Sequence, residues 1–577
     1  MGIALAWRVL KVAAPFDEAL GRKQLGLVSQ PTDVLFSRSY TMSPPEKPTT
    51  EGQSSDVSND PTINRFPTEE ARRKSAIEAI IDPRKDEGVT IQQMEEAPKF
   101  TSADELPSPE EIIEALGIPD WRRLEKKLVR RLDFTLVPML WILYVTNYLD
   151  RASLGQARIS EPSIDTSLGL TGYQFSNAIS ILSAGYVLGQ LPSNMLIPYS
   201  RPSLYLGGCA FVWSGVAAAV AGVKSYEGLL AVRFFLGVVE APLFPGAVYH
   251  LSCWYTRREL GVRMAMMATG VPIANGMSGL IAAAVFSNLE GKAGVLEWQW
   301  LFIVLAICGG VFGIMAVLIL PDYPASRTGS TMWTMTEDMR RIAETRIIAD
   351  RVTLATSTEI KTSIWQGLKM SLKDYKLWII IVINITISAA YGFSNFYPAI
   401  VRGFGYSRVI TLVITFPPYF CAAIAAVSIA WSSDRLQDRG WHFSIPVACA
   451  MVGYIVCMAT QHGVTRYVVS YIYVVGLFGA KPLIQTWISG TLSKSPEQKA
   501  TSIAINNILG QAGNVIAPYF FVASDEPRYL MAFILMFVMA GICIAGAMLL
   551  KWCLWRINKK LLRYALEHGT PYNPYLQ

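Results

Sequence analysis

Charge is scarce in this sequence. Only 16% of its 577 residues are Asp, Glu, Lys or Arg, where a soluble protein carries about 25%. Motifs for common catalysis are missing as well. There is no GxxxxGK[ST] loop to cradle a nucleotide phosphate, no HExxH zinc helix and no GxSxG nucleophile turn. ATP-driven transport and ordinary hydrolase chemistry therefore have no visible machinery. The eight cysteines include no CxxC pair and lie in or beside apolar runs. They read as buried free thiols rather than metal ligands or disulfides. No catalytic residue, metal site or cofactor is expected, and the chain is not expected to be an enzyme.

What is present is apolar sequence, 52% of the chain. It comes in runs of roughly 18 to 25 residues, each long enough to cross a ~30 Å hydrocarbon core as a helix. A dozen such runs in series cannot be packed inside one soluble core. They predict an all-α membrane protein of twelve transmembrane helices, near 134–152, 174–197, 203–222, 226–249, 262–286, 299–320, 377–399, 408–431, 443–461, 467–488, 501–522 and 529–552. Between the sixth and seventh lies a charged segment, 321–376. The expected organisation is a tail at 1–118, a six-helix half at 119–320, the central loop at 321–376, a second six-helix half at 377–552 and a tail at 553–577.

The net charge of +7 hides an asymmetry. Residues 1–118 carry 13 Lys/Arg against 20 Asp/Glu, leaving +14 for the rest. Counted over alternate connections, one side of the membrane holds roughly 28 Lys/Arg and the other roughly 8. The flank WRRLEKKLVRR at 121–131 alone supplies six. The positive-inside rule makes the richer side cytosolic, which places both termini and the central loop in the cytosol; a plasma membrane is the expected location. Residues 41–118 are rich in Ser, Pro, Thr and Glu and read as disordered and solvated. The first fifteen residues are interrupted by Arg8 and Lys11, too early for a signal-peptide core, and Ala6 argues against myristoylation. Met42 is an alternative start.

The two halves echo each other. GVVEAPLFPG in the fourth span corresponds to GLFGAKPLIQ in the tenth, and PSNMLIPYSRPSLYLG to WSSDRLQDRGWHFSIP. Parallel six-span repeats are the architecture of a large carrier class, with substrate held between the halves near the midplane.

Ionisable groups deep in a membrane are costly and face the bundle interior, where they usually serve transport. Asp150 and Arg151 end the first span; an interfacial pair is the bland alternative. Tyr148 shares a helix face with Arg151. Arg233 and Glu240 lie seven residues apart, on one stripe of the fourth span. They read either as a structural ion pair or as a device in which Glu240 takes and releases a proton while an anion engages Arg233 or Arg151. Lys481, beside Pro482, could bind an anion or merely reach a water-filled cavity. Tyr391, Asn395 and Tyr397 in the seventh span, Trp487 in the tenth and Asn506, Asn507 and Asn514 in the eleventh complete a candidate pocket, although membrane asparagines often only bridge helices. Small residues in ATGVPIANGMSG suit close helix packing, and prolines 242, 245, 417, 418, 482 and 518 mark kinks.

These segments resemble the major facilitator superfamily. The likeness is narrower to its anion:cation symporter group, within that to the fungal allantoate permease-like branch, and it runs from about 130 to 550. It rests on RRLDFTLVPMLWILYVTNYLDRASLGQARI, GYVLGQLPSNMLIPYSRPSLYL, RFFLGVVEAPLFPG, WLFIVLAICGGVFGIMAVLILPDYP and NNILGQAGNVIAPYFFVASDEPRYL. The resemblance implies a proton-coupled carrier of small organic anions. Asp150 and Glu240 would couple protons; Tyr148, Arg151, Arg233, Trp487 and Asn507 would contact substrate, joined by Tyr391 and Asn395 from the pocket reading. The loop LIPYSRPSLYL lacks the Gly-x-x-x-Asp-Arg pattern common in the superfamily, and Lys481 is unusual for it. The expected partners are the anion, protons and membrane lipid, with no nucleic acid, and the chain is expected to act as a monomer. An exporter of an acidic metabolite with the same fold and a non-transporting nutrient sensor are the alternatives.

Overall fold

The computed structural model describes residues 109–324, 326, 328–355, 364–492, 495–568 and 575–576. The chain divides into Met1–Phe66, which lies outside the described residues, and Pro67–Gln577, which carries everything below. The described residues contain no strand; one isolated bridge joins Pro321 to Gly329.

Twelve long helices follow in order. In the first half they are α1 (Trp121–Ala157), α2 (Gln174–Leu196), α3 (Pro202–Gly222), α4 (Tyr226–Trp254), α5 (Glu259–Asn288) and α6 (Glu297–Ile319). In the second they are α7 (Tyr375–Asn395), α8 (Arg408–Leu436), α9 (Gly440–Ala459), α10 (Gly463–Thr491), α11 (Pro496–Ile516) and α12 (Leu530–His568). Nine of these are, among the described residues, long and apolar enough to cross a membrane. The other three, α1, α2 and α11, stand where the first, second and eleventh spans were expected. At the boundary between the halves, Ser176 and Ser180 of α2 donate to the carbonyls of Pro518 and Val515 at 2.9 Å each. Lipid-facing helices need no such groups. Phe211 on α3, Ile307 on α6, Ile424 on α8 and Val538 on α12 stay exposed and apolar, which is unfavourable in water and suits a hydrocarbon surround.

The halves repeat one packing plan. In the first, α3 packs on α6, α2 on α4, and α1 on both α5 and α6; in the second, α9 packs on α12, α8 on α10, and α7 on both α11 and α12. The helices that meet across the boundary are α2 with α11 and α5 with α8, which exchange under the same correspondence. The internal echo in the sequence is therefore a structural repeat.

Local signals set the helix ends. Ser225 accepts a hydrogen bond from Gly228 N–H and caps α4; Ser495 accepts from Gln498 N–H and caps α11, with Pro496 at the first helical position. Interruptions fall at prolines. α4 breaks between Glu240 and Leu243 at Pro242, and α10 between Ala480 and Leu483 at Pro482. Proline supplies no N–H and crowds the preceding turn.

Three boundaries differ from the sequence reading. The tail ends earlier than residue 118: Pro109–Glu114 is helical, with Ile112 and Ile113 buried against the helix Glu337–Ala355. Residues 1–108 lie outside the described residues. The 321–376 segment is folded where it is described, and Arg346 is buried between Glu125, at 3.3 Å, and Glu259. The helix of α12 runs past residue 552 to His568.

The Lys/Arg-rich end also explains LIPYSRPSLYL. Arg201 donates to Asp322, just beyond α6, at 3.1 Å. Asp322 is fully buried and also accepts from Ser203 N–H and Oγ and from Thr328 Oγ1, at 3.1, 2.6 and 2.6 Å. Gly329 approaches it in a left-handed conformation (φ 64°). Burial works against the charged carboxylate, but these donors outweigh it and hold the Asp322 pKa below the ordinary carboxylate value. A depressed folded-state pKa stabilises above the unfolded value, near 3.9, and that contribution fades as pH falls through the folded value. Asp322→Asn is expected to remove about 1.5–3 kcal/mol. Thermal unfolding of purified protein should show a lower Tm at pH 7, with the gap to wild type closing below about pH 4.

Candidate functional site

The site is built around the break in α4. Glu240 is the last residue of its first segment, and its side chain is fully buried. Arg151 Nε, on α1, donates to Glu240 Oε2 at 2.6 Å. The Arg151 side chain keeps 18% exposure where the glutamate has none. One partner is therefore reachable and the other is sealed behind it.

Arg233 lies two turns before Glu240 and is equally buried. Its Nη1 approaches the backbone carbonyl of Asp150 at 3.4 Å. Among the described residues no ion pair joins it to either acid, so the structural ion pair that was one of the two readings of Arg233 and Glu240 does not form. Two turns of helix separate residues by about 11 Å along the axis, beyond hydrogen-bond reach, whereas a neighbouring helix packs 8–10 Å away with its side chains interleaved. The contact is made between helices. Asp150 is 2% exposed; its Oδ2, Glu240 Oε1 and Arg233 Nε have no hydrogen-bond partner among the described residues. Unsatisfied buried polar atoms at one locus are costly for stability and mark a place where protons or ligands are exchanged.

Arg151 is framed by rings. Its guanidinium carbon lies 5.1 Å from the Tyr148 centroid and 4.6 Å from that of Tyr186. Tyr148 was expected here. Tyr186 was not, although it sits in GYVLGQ; a tyrosine amid small residues in a span gives no period-based signal. Tyr144 extends the cluster, 5.0 Å from Tyr148.

Across the boundary, the second half presents Tyr391 at the C-terminal end of α7. Lys481, at the break in α10, donates to the Tyr391 hydroxyl and, at 3.3 Å, to Ser388 Oγ. Phe478 packs on Tyr391 with centroids 5.2 Å apart. One turn beyond Lys481, Gln485 donates to Asn507 Oδ1 on α11 at 2.6 Å. Gly155 brings the halves together here: a Cβ at that position would collide with the Asn395 backbone carbonyl. Arg151 is one turn before Gly155, and Tyr391 four residues before Asn395, so the two lie at matching depth. The structure thus gathers Tyr148, Asp150, Arg151, Arg233 and Glu240 on one side and Tyr391, Lys481 and Asn507 on the other. Asn395 sits above them at the helix contact. Trp487 is placed elsewhere, buried against Phe443 in the core of the second half with centroids 6.3 Å apart. Asn506 is fully buried and Asn514 bonds to Gln511.

The boundary is sealed at the end away from the Lys/Arg-rich flank. Arg158 pairs with Glu526 at 3.1 Å, Arg408 with Glu297 at 2.9 Å, and Arg402 with Glu161 at 3.5 Å. Tyr519 donates to Asn177 at 2.7 Å. These contacts link the two halves at this end.

Comparison with known proteins agrees with this architecture. Residues 140–518 match the Major Facilitator Superfamily. The chain is 28% identical over 410 residues to the fungal MFS transporter prlL, covering 70% of this chain and 81% of that one. It is 27% identical over 420 residues to a high-affinity nicotinic acid transporter of Saccharomyces cerevisiae, covering 72% and 75%. Among solved structures, it is similar to a bacterial homologue of the human lysosomal transporter Spinster in an inward-facing, occupied conformation, with a TM-score of 0.56 at 15% identity over 72% of this chain and 96% of that one. It is also similar to a D-xylose–proton symporter, with a TM-score of 0.53 at 15% identity over 72% and 97%. Twelve helices in two matching halves, the boundary site and the family match over residues 140–518 lead to one conclusion: this chain belongs to the Major Facilitator Superfamily and is a multi-pass membrane transporter.

Proposed function

We propose that the chain is a secondary carrier that moves a small organic anion together with protons across a fungal plasma membrane, with both termini in the cytosol. The resemblance to the anion:cation symporter group and its allantoate permease-like branch supports this reading. So do a nicotinic acid transporter and a proton symporter among the similar proteins.

The observation that carries it is the Arg151–Glu240 pair. An ion pair in a low-dielectric interior is strong, and losing one partner leaves an uncompensated charge. A substrate carboxylate that takes the accessible arginine removes the charge that keeps Glu240 ionised, and the glutamate takes a proton. A proton on Glu240 in turn frees Arg151 for the anion. The two events help each other by the same free energy, as linkage requires. Asp150, buried and without an ion pair among the described residues, is the second acid and passes protons to and from Glu240. Tyr148 and Tyr186 hold the guanidinium in place and present aromatic walls to the substrate. The ion pairs at the sealed end belong to a state that is closed outward and accessible from the cytosol.

The test is uptake by proteoliposomes of purified protein. Small carboxylates that raise the protein's melting temperature should accumulate when the lumen is made alkaline. The expected result is uphill accumulation that collapses with a protonophore; accumulation indifferent to the pH gradient would sink proton coupling.

A further inference from the structure

We propose that Lys481, seated on Tyr391, is a second anion anchor opposite Arg151, and that the transported species is a dianionic organic acid whose two carboxylates bridge the halves. This rests on the anion-carrier reading and names its substrate class.

The argument begins with an ammonium group that has no counter-ion. The nitrogen of Lys481 donates to the hydroxyls of Tyr391 and Ser388 and lies 3.8 Å from the Tyr391 ring centroid. Among the described residues no carboxylate forms an ion pair with it. The two other lysines drawn into helix contacts in this half each have one: Lys376 with Asp374, Lys551 with Asp438. An uncompensated cation in the bundle is costly, and ring and hydroxyl dipoles offset only part of that. A second carboxylate from the substrate would supply what the protein omits.

The position is right for that role. Pro482 interrupts α10 next to Lys481 as Pro242 interrupts α4 next to Ala241 and Glu240, so the repeat places a charged group at the break in each half. The Gly155–Asn395 contact sets Arg151 and Tyr391, which carries Lys481, at matching depth on the two sides of the boundary.

Charge counting selects the dianion. Arg151, Arg233 and Lys481 contribute three positive charges, and Asp150 and Glu240 two negative ones. The site is one positive charge in excess, and each co-transported proton adds another. A monocarboxylate neutralises the site only without a proton; with one proton, neutrality requires two negative charges. A neutral loaded core is the state that can close and reorient at least cost in a low-dielectric surround.

The experiment compares succinate and glutarate with their monomethyl esters, by competition binding and uptake in proteoliposomes. Wild type should prefer each diacid to its half-ester by about tenfold or more. Lys481→Gln should erase that preference by weakening the diacid alone, and Lys481→Arg should retain it. Because it removes an unpaired buried charge, ligand-free Lys481→Gln should melt at the wild-type temperature or above, which separates an anchor from a structural lysine. Equal affinity for diacid and half-ester in wild type, or an equal loss of both in Lys481→Gln, overturns the inference. If half-esters still bind through Arg151, the anion reading survives that result. If neither diacids nor half-esters bind, both fail.

Discussion

Glu240→Gln is expected to abolish uphill uptake driven by a pH gradient while leaving counterflow exchange partly alive. The substitution keeps size and one hydrogen-bond acceptor for Arg151 Nε, now 2.6 Å from Oε2, but the side chain can no longer change charge. Arg151 loses the partner that competes with substrate, so the anion should bind at least as well as before. The coupled proton has no carrier, and reorientation of the loaded protein then carries no thermodynamic link to the gradient. Gradient-driven accumulation should fall by about 100-fold or to the level of protein-free vesicles, a loss of about 2.7 kcal/mol or more of coupling. Exchange of labelled for unlabelled substrate needs no net proton movement and should persist. Normal concentrative uptake by the variant would remove Glu240 from the coupling role. Asp150→Asn provides the contrast: Asp150 makes no ion pair with Arg151 among the described residues, so its substitution should slow proton transfer while leaving the Arg151–Glu240 linkage in place.

Why Glu240 could be picked out of the sequence together with Arg233 and Arg151, but not which arginine it pairs with, is a matter of what periodicity encodes. A lone acid within an apolar run is visible at once, because a membrane penalises it. Spacing then links residues on one helix, and it linked Glu240 to Arg233. The real partner, Arg151, is 89 positions away on α1, and only tertiary packing reports such a neighbour. Tyr186 escaped for the same reason: it reaches the site from α2, where nothing in its own surroundings marks it. The place of Trp487 against Phe443 in the second half is likewise set by packing between helices, which spacing does not report. The order of the helices was legible because membrane insertion demands long apolar runs. The spans α1, α2 and α11 blur that signal; where α2 meets α11, serines of α2 donate across the boundary.

Arg151→Ala is the second substitution with a large expected effect, and it acts on the other side of the same linkage. The side chain joins two functions: it is the reachable cation for a substrate carboxylate, and it is the counter-charge of a sealed glutamate. Removing it should lower substrate affinity about 100-fold or more, since truncating one member of a hydrogen-bonded charge pair costs roughly 2–5 kcal/mol. Equilibrium binding to purified protein measures this directly, without the proton gradient. Arg151→Lys keeps the charge but loses the planar fork that lies against Tyr148 and Tyr186, so its affinity should fall between wild type and Arg151→Ala. Undiminished affinity in Arg151→Ala would move the anion site elsewhere, with Lys481 next in line. The double variant Arg151→Ala/Glu240→Gln carries the argument one step further. Alone, Arg151→Ala leaves Glu240 buried without its guanidinium, which should lower thermal stability; neutralising the glutamate as well should recover much of that loss. If Arg151 and Glu240 hold each other until anion and proton bind together, stability returns in the double variant while coupled uptake does not.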